Sequence, residues 1–477
     1  MTQVRHAVAG FAATAPASVA IRAGRTTVTY ADLDATATAV TAWLRARGVG
    51  VGDRVVVLLP RGPEVLATVL GVLGSGAAFV PVDPSMPTDQ LHRICRDCTP
   101  SVIVTDRADA ALLGVPMASP EEMSVYVGTT AAPVDTERPA YVLYTSGSTG
   151  EPKGVVVGTA AMERYLGWAQ VAYDMDTGSG APLFTSIAFD ATLTSLLGPL
   201  LAGRTVTVIG EEDPVLELAE ILRQRPDFSF LKATPHHVRL LCDLLQGERL
   251  GGAVRRLVVG GDALDGSTVR AWTKVFATPV TNEYGPTETV VGCTAYTVVP
   301  EDVEDLGHEV PIGRGVAGAQ MRVLDADGEP TQFGQVGELF VCGPSADNFY
   351  LGRPGATAAR FLPDPDGGPG TRRYRTGDLA SVRADGVLEF HGRADRQVKV
   401  RGYRIELGEV ETAVRAAPGV VEAAALLDRT GPDAATAVVY TGTASPDEVH
   451  ADLTRRVPSW VIPGQIVRTA ELPTTAN

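Results

Sequence analysis

Apolar residues along the chain fall into short β-branched runs separated by longer stretches with helical spacing. Residues 27–34 (TVTYADLD) predict a strand running into a helix, residues 55–59 (VVVLL) a second strand, and residues 64–74 a helix. Residues 74–87 (GSGAAFVPVDPSMP) turn through a strand into a Pro-rich loop. From residue 182 the alternation becomes regular. Strands are predicted at 183–187, 205–209, 228–231, 254–259 and 278–282, with helices between them at 191–201, 214–224, 235–246 and 266–276. This order predicts a largely parallel sheet covered on both faces, with ligands beyond the carboxyl ends of its strands.

The residues at those ends are unusual for packing. They are Phe189-Asp190, Lys232, Gly260-Gly261-Asp262 and Glu283-Tyr284-Gly285, and they are expected to line one site. A β-rich region with Gly-centred turns follows at about 311–391. Its Gly313–Gly318 segment is formally GxGxxG, but Pro311 precedes it and a strand-like AQMRVLD follows, so no dinucleotide role is expected. Residues 392–404 are strongly basic; then a helix opens near Glu406, followed by strands at 420–427 and 436–441, a helix at 446–456 and a strand-like 465–470. The predicted fold class is α/β. A large domain, 1–394, combines parallel-rich sheets flanked by helices with the β-rich subdomain, and a small α+β domain, 395–477, follows.

Composition narrows the function classes. The 477 residues are 45% hydrophobic and 20% charged, which are globular values. The net charge of −15, from 41 basic and 56 acidic residues, argues against a nucleic acid or an anionic membrane as partner. A phosphate ligand must therefore be held by local donors. No apolar run reaches 18 residues, so no membrane span is expected. The five cysteines are odd in number and sparse, which points to a reduced, cytoplasmic setting, and the lone Cys95-x-x-Cys98 lacks the second pair of a zinc site. The alanine-rich N-terminal run is too weak for a signal peptide.

Residues 141–157 (YVLYTSGSTGEPKGVVV) carry the clearest chemistry. Two β-prone runs flank a loop with the hydroxyls of Thr145, Ser146, Ser148 and Thr149, three glycines and Lys153. Glycines let backbone N–H groups approach an anion, hydroxyls donate to oxyanions or reach a metal, and the lysine supplies charge, so the loop suits a polyphosphate. It matches neither GxxxxGK[ST] nor GxSxG.

Nine segments in order then resemble the adenylate-forming superfamily, and within it the adenylation domains of nonribosomal peptide synthetases. They are TYADL (29–33), GSGAAFVPVDP (74–84), YTSGSTGEPKG (144–154), FDAT (189–192), NEYGPTE (282–288), GELFVCG (337–343), YRTGDL (374–379), GRADRQVKVRGYRIELGEVE (392–411) and VPSWVIP (457–463). The resemblance implies an AMP-forming ligase that uses ATP and Mg2+ to join an amino acid to AMP, then passes it to a phosphopantetheine thiol on a peptidyl carrier protein. A small MbtH-like protein is a further partner the family allows. By the same matching, the loop from Thr145 through Ser146, Ser148 and Thr149 to Lys153 would cover the β- and γ-phosphates. Tyr284 would stack on adenine with Asn282, Gly261 and Gly285 nearby. Thr287 would contact the α-phosphate and Glu288 would hold Mg2+. Asp378 would accept both ribose hydroxyls, with Arg393 close to ribose and phosphates. Asp395 would be the hinge of a mobile small domain, and Lys399 would reach the site in the thioester-forming orientation.

Asp190 matches the position that pairs with a substrate α-ammonium, which disfavours aryl and fatty acids. The side-chain pocket would be lined by Ala191, Thr194, Lys232, Val258, Gly260, Glu283, Val291 and Gly292. With Lys232 donating and Glu283 accepting, a carboxamide fits, and L-asparagine or a β-substituted asparagine is the expected substrate. The open alternative is that Lys232 and Glu283 pair with each other.

Two departures from the family pattern stand out. The family continues ELPTTAN with Gly-Lys, whose lysine bridges substrate and ATP; its absence here marks either a truncated sequence or a defective natural form, and implies an adenylation step impaired by roughly 10²–10³ in rate. Residues 345–350 (SADNFY) replace a small-Arg-Gly-Tyr segment. The rival readings are an acyl- or aryl-CoA synthetase of the same superfamily and a catalytically weakened binding module.

Overall fold

In the computed structural model, residues 2–126, 138–145, 147, 152–428 and 434–472 are described. Ser146, Ser148 and Thr149 of the expected phosphate loop, and the chain end at Asn477, lie outside them.

A seven-stranded sheet forms the first layer, in the order Phe349–Tyr350, Lys153–Gly158, Pro139–Thr145, Ala78–Pro81, Arg54–Leu58, Val102–Thr105, Met117–Ala118. Its strands are apolar on both faces because each face meets a different core. Val55, Val57, Tyr141, Leu143, Val155 and Val157 enter one cluster, while Val56, Leu58, Val142 and Val156 enter another. This explains why these strands read as unbroken apolar runs. The helix Tyr30–Ala46 starts where the TYADL segment predicts, because Thr29 and Asp32 form a reciprocal capping box.

The regular alternation after residue 182 does not make one sheet. Gly180–Leu183 and Thr205–Val208 join Val19–Ala23 and Thr26–Thr29 in a four-stranded sheet, with Ile21 paired to Val206. Leu231–Ala233, Leu257–Val259 and Val280–Tyr284 run parallel in a second sheet, extended by the antiparallel Thr294–Val298. Apolar runs specify that a strand exists but not which remote strand it pairs with, and the partner Val19–Ala23 is about 180 residues away. The predicted strands are also offset: 183–187 becomes Gly180–Leu183 and 228–231 becomes Leu231–Ala233. A third sheet, Gln320–Leu324, Gly337–Cys342, Arg372–Val382, Phe361–Pro363 and Leu388–Arg393, accounts for the β-rich region.

Beyond Asp395 the chain builds its own apolar core, from Val400 and Ile405 to Val457 and Val461, under the sheet Val420–Asp428, Ala435–Gly442, Gln465–Arg468. The hairpin Gln397–Val400 and Tyr403–Glu406 supplies Val400 and Ile405 to that core. Arg401 (φ 53°) and Gly402 (φ 88°) form its two-residue turn, the left-handed pair that matches strand twist.

Candidate active site

The strands Pro139–Thr145 and Lys153–Gly158 are antiparallel neighbours, and their register sets Thr145 opposite Lys153. Thr145 and Lys153 therefore stand at the two feet of the loop expected to hold phosphates. The base is braced by the Tyr144 hydroxyl, which donates to Asp97 at 2.7 Å, and by Arg353, which donates to the Pro152 carbonyl at 3.0 Å. Burial pulls the Lys153 ammonium below the usual lysine range, with Glu406 opposing.

Asp190 sits just before the helix Thr192–Leu201, and its carboxylate accepts from the Thr287 hydroxyl at 2.6 Å. Burial pushes this carboxyl up, opposed by Thr287, the Ala191 N–H, Lys232 and Lys399. Thr287, expected at the α-phosphate, is thus tied to Asp190. Asp190, Ala191, Lys232, Gly260, Glu283 and Val291 surround one cavity of about 50 Å3. Thr194, Val258 and Gly292, also expected to line it, do not border this cavity. A Cβ on Gly292 would lie 2.5 Å from the Glu283 Cδ, so Gly292 makes room for the glutamate and not for a ligand.

Lys232 and Glu283 were expected to face a ligand separately. Instead the Lys232 ammonium meets Glu283 Oε2 directly, and Glu283 Oε1 accepts from the hydroxyls of Tyr165, at 3.0 Å, and Tyr173. Two opposite charges buried at 4% exposure each cannot remain apart without a large desolvation cost, and pairing offsets it. Burial still pulls the Lys232 ammonium down from its usual range, with Asp190 opposing.

At the other end, Tyr284 donates to Asp378 Oδ2 and Arg393 to Asp378 Oδ1, so both carboxylate oxygens expected at a ribose are engaged. Arg393 also grips Asp395 at 2.7 and 2.8 Å, joining the two sides of the expected hinge. Asn282 donates to the carbonyls of Val310 and Pro311 at 3.1 and 2.9 Å, which makes it a brace of the adenine-side wall. Gly261, Asn282, Tyr284, Arg393 and Lys399 border a second cavity of about 290 Å3.

The hairpin after Asp395 reaches into this cleft. Lys399 and Arg404 are cross-strand partners, and they deliver two cations on one face. Lys399 Nζ lies 5.8 Å from the Tyr284 ring centre, while Arg404 Nη1 contacts Glu288 Oε1 and Oε2 at 3.0 and 2.7 Å. Burial pushes the Glu288 carboxyl up, but Arg404, a backbone N–H and the Tyr350 hydroxyl together outweigh it and hold the group below the usual carboxylate range. The residues 345–350 that depart from the family pattern hold Glu288 too. Tyr350 donates to Oε1 at 2.8 Å, and the Asn348 amide donates to the Glu288 carbonyl at 2.8 Å. Glu288 is a hard oxygen ligand and fits Mg2+ by chemistry, but here both its oxygens accept from Arg404 and Oε1 also accepts from Tyr350. Met86, Ile94, Phe189, Trp460 and Tyr403 of the hairpin line a cavity of about 130 Å3 that Asp190 and Thr287 also border. Tyr403 stacks on Trp460, with centroids 4.8 Å apart and planes at 5°.

Sequence reasoning missed Arg404, Tyr165, Tyr173, Asn348 and Tyr350. Arg404 lies within a quoted motif, and its register opposite Lys399 was the available signal. The two tyrosines belong to the helix Thr159–Ala172 and its C-cap, where aromatic spacing reads as ordinary core.

Residues 8–351 match the AMP-binding enzyme family. Tyrocidine synthase 3 of Brevibacillus parabrevis is 34% identical over 487 residues, covering 98% of this chain and 7% of that protein. The AMB antimetabolite synthetase AmbB of Pseudomonas aeruginosa is 36% identical over 478 residues, covering 97% of this chain and 37% of that protein. The chain thus spans a minor part of the length of these curated relatives. Among solved structures, holo-PA1221, an NRPS protein containing adenylation and PCP domains bound to a vinylsulfonamide inhibitor, has a TM-score of 0.87 at 28% identity, covering 99% of this chain and 82% of that one. The four-domain nonribosomal peptide synthetase AB3403, bound to AMP and glycine, has a TM-score of 0.73 at 30% identity, covering 99% of this chain and 35% of that one. The chain belongs to the AMP-binding enzyme family, and along its length it is similar to the adenylation domains of nonribosomal peptide synthetases.

Proposed function

We propose that the chain activates an amino acid with ATP, forming aminoacyl-AMP and pyrophosphate, and then loads it onto the phosphopantetheine thiol of a carrier protein. The observation that carries this reading is Asp190, a carboxylate at the floor of the cleft beside Thr287 and within one cavity of Tyr284, Asp378 and Arg393. A substrate α-ammonium needs such a partner, and a fatty or aryl acid does not.

In the first step a substrate carboxylate oxygen bonds to the α-phosphorus of ATP, and the bond to the bridging oxygen of pyrophosphate breaks. Asp190 orients the amino acid, and Thr145 and Lys153 sit where they would steady the phosphates. Most of the catalysis is alignment and charge neutralisation. Mg2+, held by Glu288 once Arg404 withdraws, would supply screening of phosphate charge. In the second step the thiol sulfur bonds to the acyl carbon and AMP leaves. The cavity bordered by Tyr403, Trp460 and Asp190 is the route we assign to the pantetheine arm. The inserted hairpin, with Lys399 beside Tyr284, supports reading this arrangement as the thioester-forming one, turned about Asp395.

For the amino acid we propose L-asparagine or a β-substituted asparagine. The Lys232–Glu283 pair is charge-balanced and offers one side chain both a donor and an acceptor, which suits a carboxamide. An aspartate would bring an unbalanced charge, at about 2 kcal/mol or more. Pyrophosphate release measured over the twenty amino acids tests this directly: asparagine should lead, and a lead by aspartate or leucine would refute the assignment.

A further inference from the structure

Behind the amino-acid cavity lies a group of hydroxyls that none of the motifs above includes. Tyr165 and Tyr173 are each 1% exposed, and both donate to the same oxygen of Glu283. Tyr165 also shares a 2.7 Å hydrogen bond with Thr194, which is fully buried. Trp168 packs edge-on against Tyr173, with centroids 5.3 Å apart, and the Tyr165 ring lies 6.0 Å from it. The two phenols are therefore wedged by the turns of one helix. Burial raises both above the usual phenol range, so each keeps its proton and remains a donor.

The donor count has a consequence. A carboxylate offers about four lone-pair sites. Tyr165, Tyr173 and Lys232 occupy three of those on Glu283, which leaves about one acceptor site for a ligand. Lys232 spends one of its three N–H donors on Glu283. Gly292 lies against the Glu283 side chain and leaves room for this placement of the carboxylate, since a Cβ there would lie 2.5 Å from its Cδ. The floor of the cavity is then a fixed acceptor beside a fixed donor, with no net charge.

We propose that Tyr165 and Tyr173 are specificity-determining positioning residues, which clamp Glu283 against Lys232 so that the cavity selects an uncharged side chain able to accept and donate at once. This rests on the reading of the cavity as an amino-acid site. It adds that selectivity is set partly by two residues that never touch the ligand. Losing one phenol frees the carboxylate to rotate toward Lys232 and consume the donor meant for the ligand.

The test compares wild type with Tyr173→Phe and Tyr165→Phe. Calorimetry with a non-hydrolysable ATP analogue present gives dissociation constants for asparagine, aspartate and leucine. Pyrophosphate release gives KM and kcat for the same three. The expected result is a fall of roughly 10-fold in the preference for asparagine over leucine, carried by KM, from the loss of one buried hydrogen bond. The KM for ATP should stay within about twofold, because the clamp touches no part of the nucleotide end. A preference unchanged within twofold, with only the melting temperature lowered, assigns the tyrosines to packing and overturns the proposal. If Tyr173→Phe fails to fold, Thr194→Val, which loosens Tyr165 alone, carries the same comparison. The wild-type arm separates the two ideas. If wild type prefers another amino acid, the asparagine assignment fails, and the clamp is judged on that amino acid against its apolar isostere. If wild type binds no amino acid, both are overturned.

Discussion

A single guanidinium nitrogen of Arg404 straddles the Glu288 carboxylate, 3.0 Å from one oxygen and 2.7 Å from the other. Glu288 is 1% exposed and follows the strand of the large region that carries Tyr284; Arg404 comes from the hairpin beyond Asp395. The contact therefore binds the position of the hairpin to the state of the residue expected to hold a cation. Both cannot use the carboxylate in the same way at once.

Arg404→Ala should accordingly separate the two half-reactions. It removes one partner of a buried pair, a loss of about 3–5 kcal/mol for the arrangement that needs it. Thioester formation should fall by about 100-fold or more, while pyrophosphate exchange stays within several-fold. Parallel measurement of carrier loading and pyrophosphate exchange decides it, and equal losses in both would contradict the orientation-specific role.

Gly402→Ala should act on the same step by geometry alone. The residue has φ 88°, and an added Cβ would lie 2.5 Å from Thr234 Cγ2. Left-handed strain of about 1–2 kcal/mol adds to that overlap. The hairpin should dock poorly, so that a distance probe between the two regions shows a shifted population. An unshifted probe with normal carrier loading would exclude this.

The Lys232–Glu283 pair predicts strong non-additivity. Lys232→Met leaves a buried carboxylate unpaired, and should destabilise by about 3–5 kcal/mol. The double variant Lys232→Met/Glu283→Gln should recover a large part of that loss, while asparagine binding stays lost. Denaturant unfolding of the four proteins of the cycle checks the coupling; additive effects would show that the pair is not a unit.

Glu409 should impose a pH dependence on stability. It is 8% exposed, its Oε2 has no hydrogen-bond partner among the described residues, and burial, with Glu406 adding to it, raises its carboxyl from the usual 4.5 to about 7. Below about pH 4.5 the folded and unfolded chains both carry the proton, and the residue imposes no penalty. As pH rises toward 7 the unfolded chain ionises first, so folded stability falls, and the full cost of about 3 kcal/mol is reached above 7. Glu409→Gln should match wild type near pH 4.5 and exceed its stability by about that amount at pH 8. Unfolding midpoints at the two pH values check the sign, and an equal difference at both would remove Glu409 as the cause.

Much of the site was legible because its parts are local. The helix start at Tyr30, fixed by the capping box of Thr29 and Asp32, and the paired strands that flank the loop after Tyr144 each depend on neighbours in sequence. Asp190, Lys232, Gly260 and Glu283 were legible as strand-end residues, since chemistry at those ends is more than packing requires. What misled was pairing. Thr287 turned toward Asp190, Asn282 toward Val310 and Pro311, and Glu288 toward Arg404, because a buried polar atom takes whichever partner the fold brings within reach.

The sequence by itself determined most of the elements and the family, because periodicity, turn residues and ordered motifs survive without coordinates. Tertiary structure alone decided which strands share a sheet, which charges neutralise each other and what stands behind the pocket. Val19–Ala23 pairs with Thr205–Val208, Arg404 meets Glu288 across 116 positions, and Tyr173 meets Glu283 across 110. Partners so far apart leave no mark on local composition; only burial, which makes an unpaired polar group costly, selects them once the chain has closed.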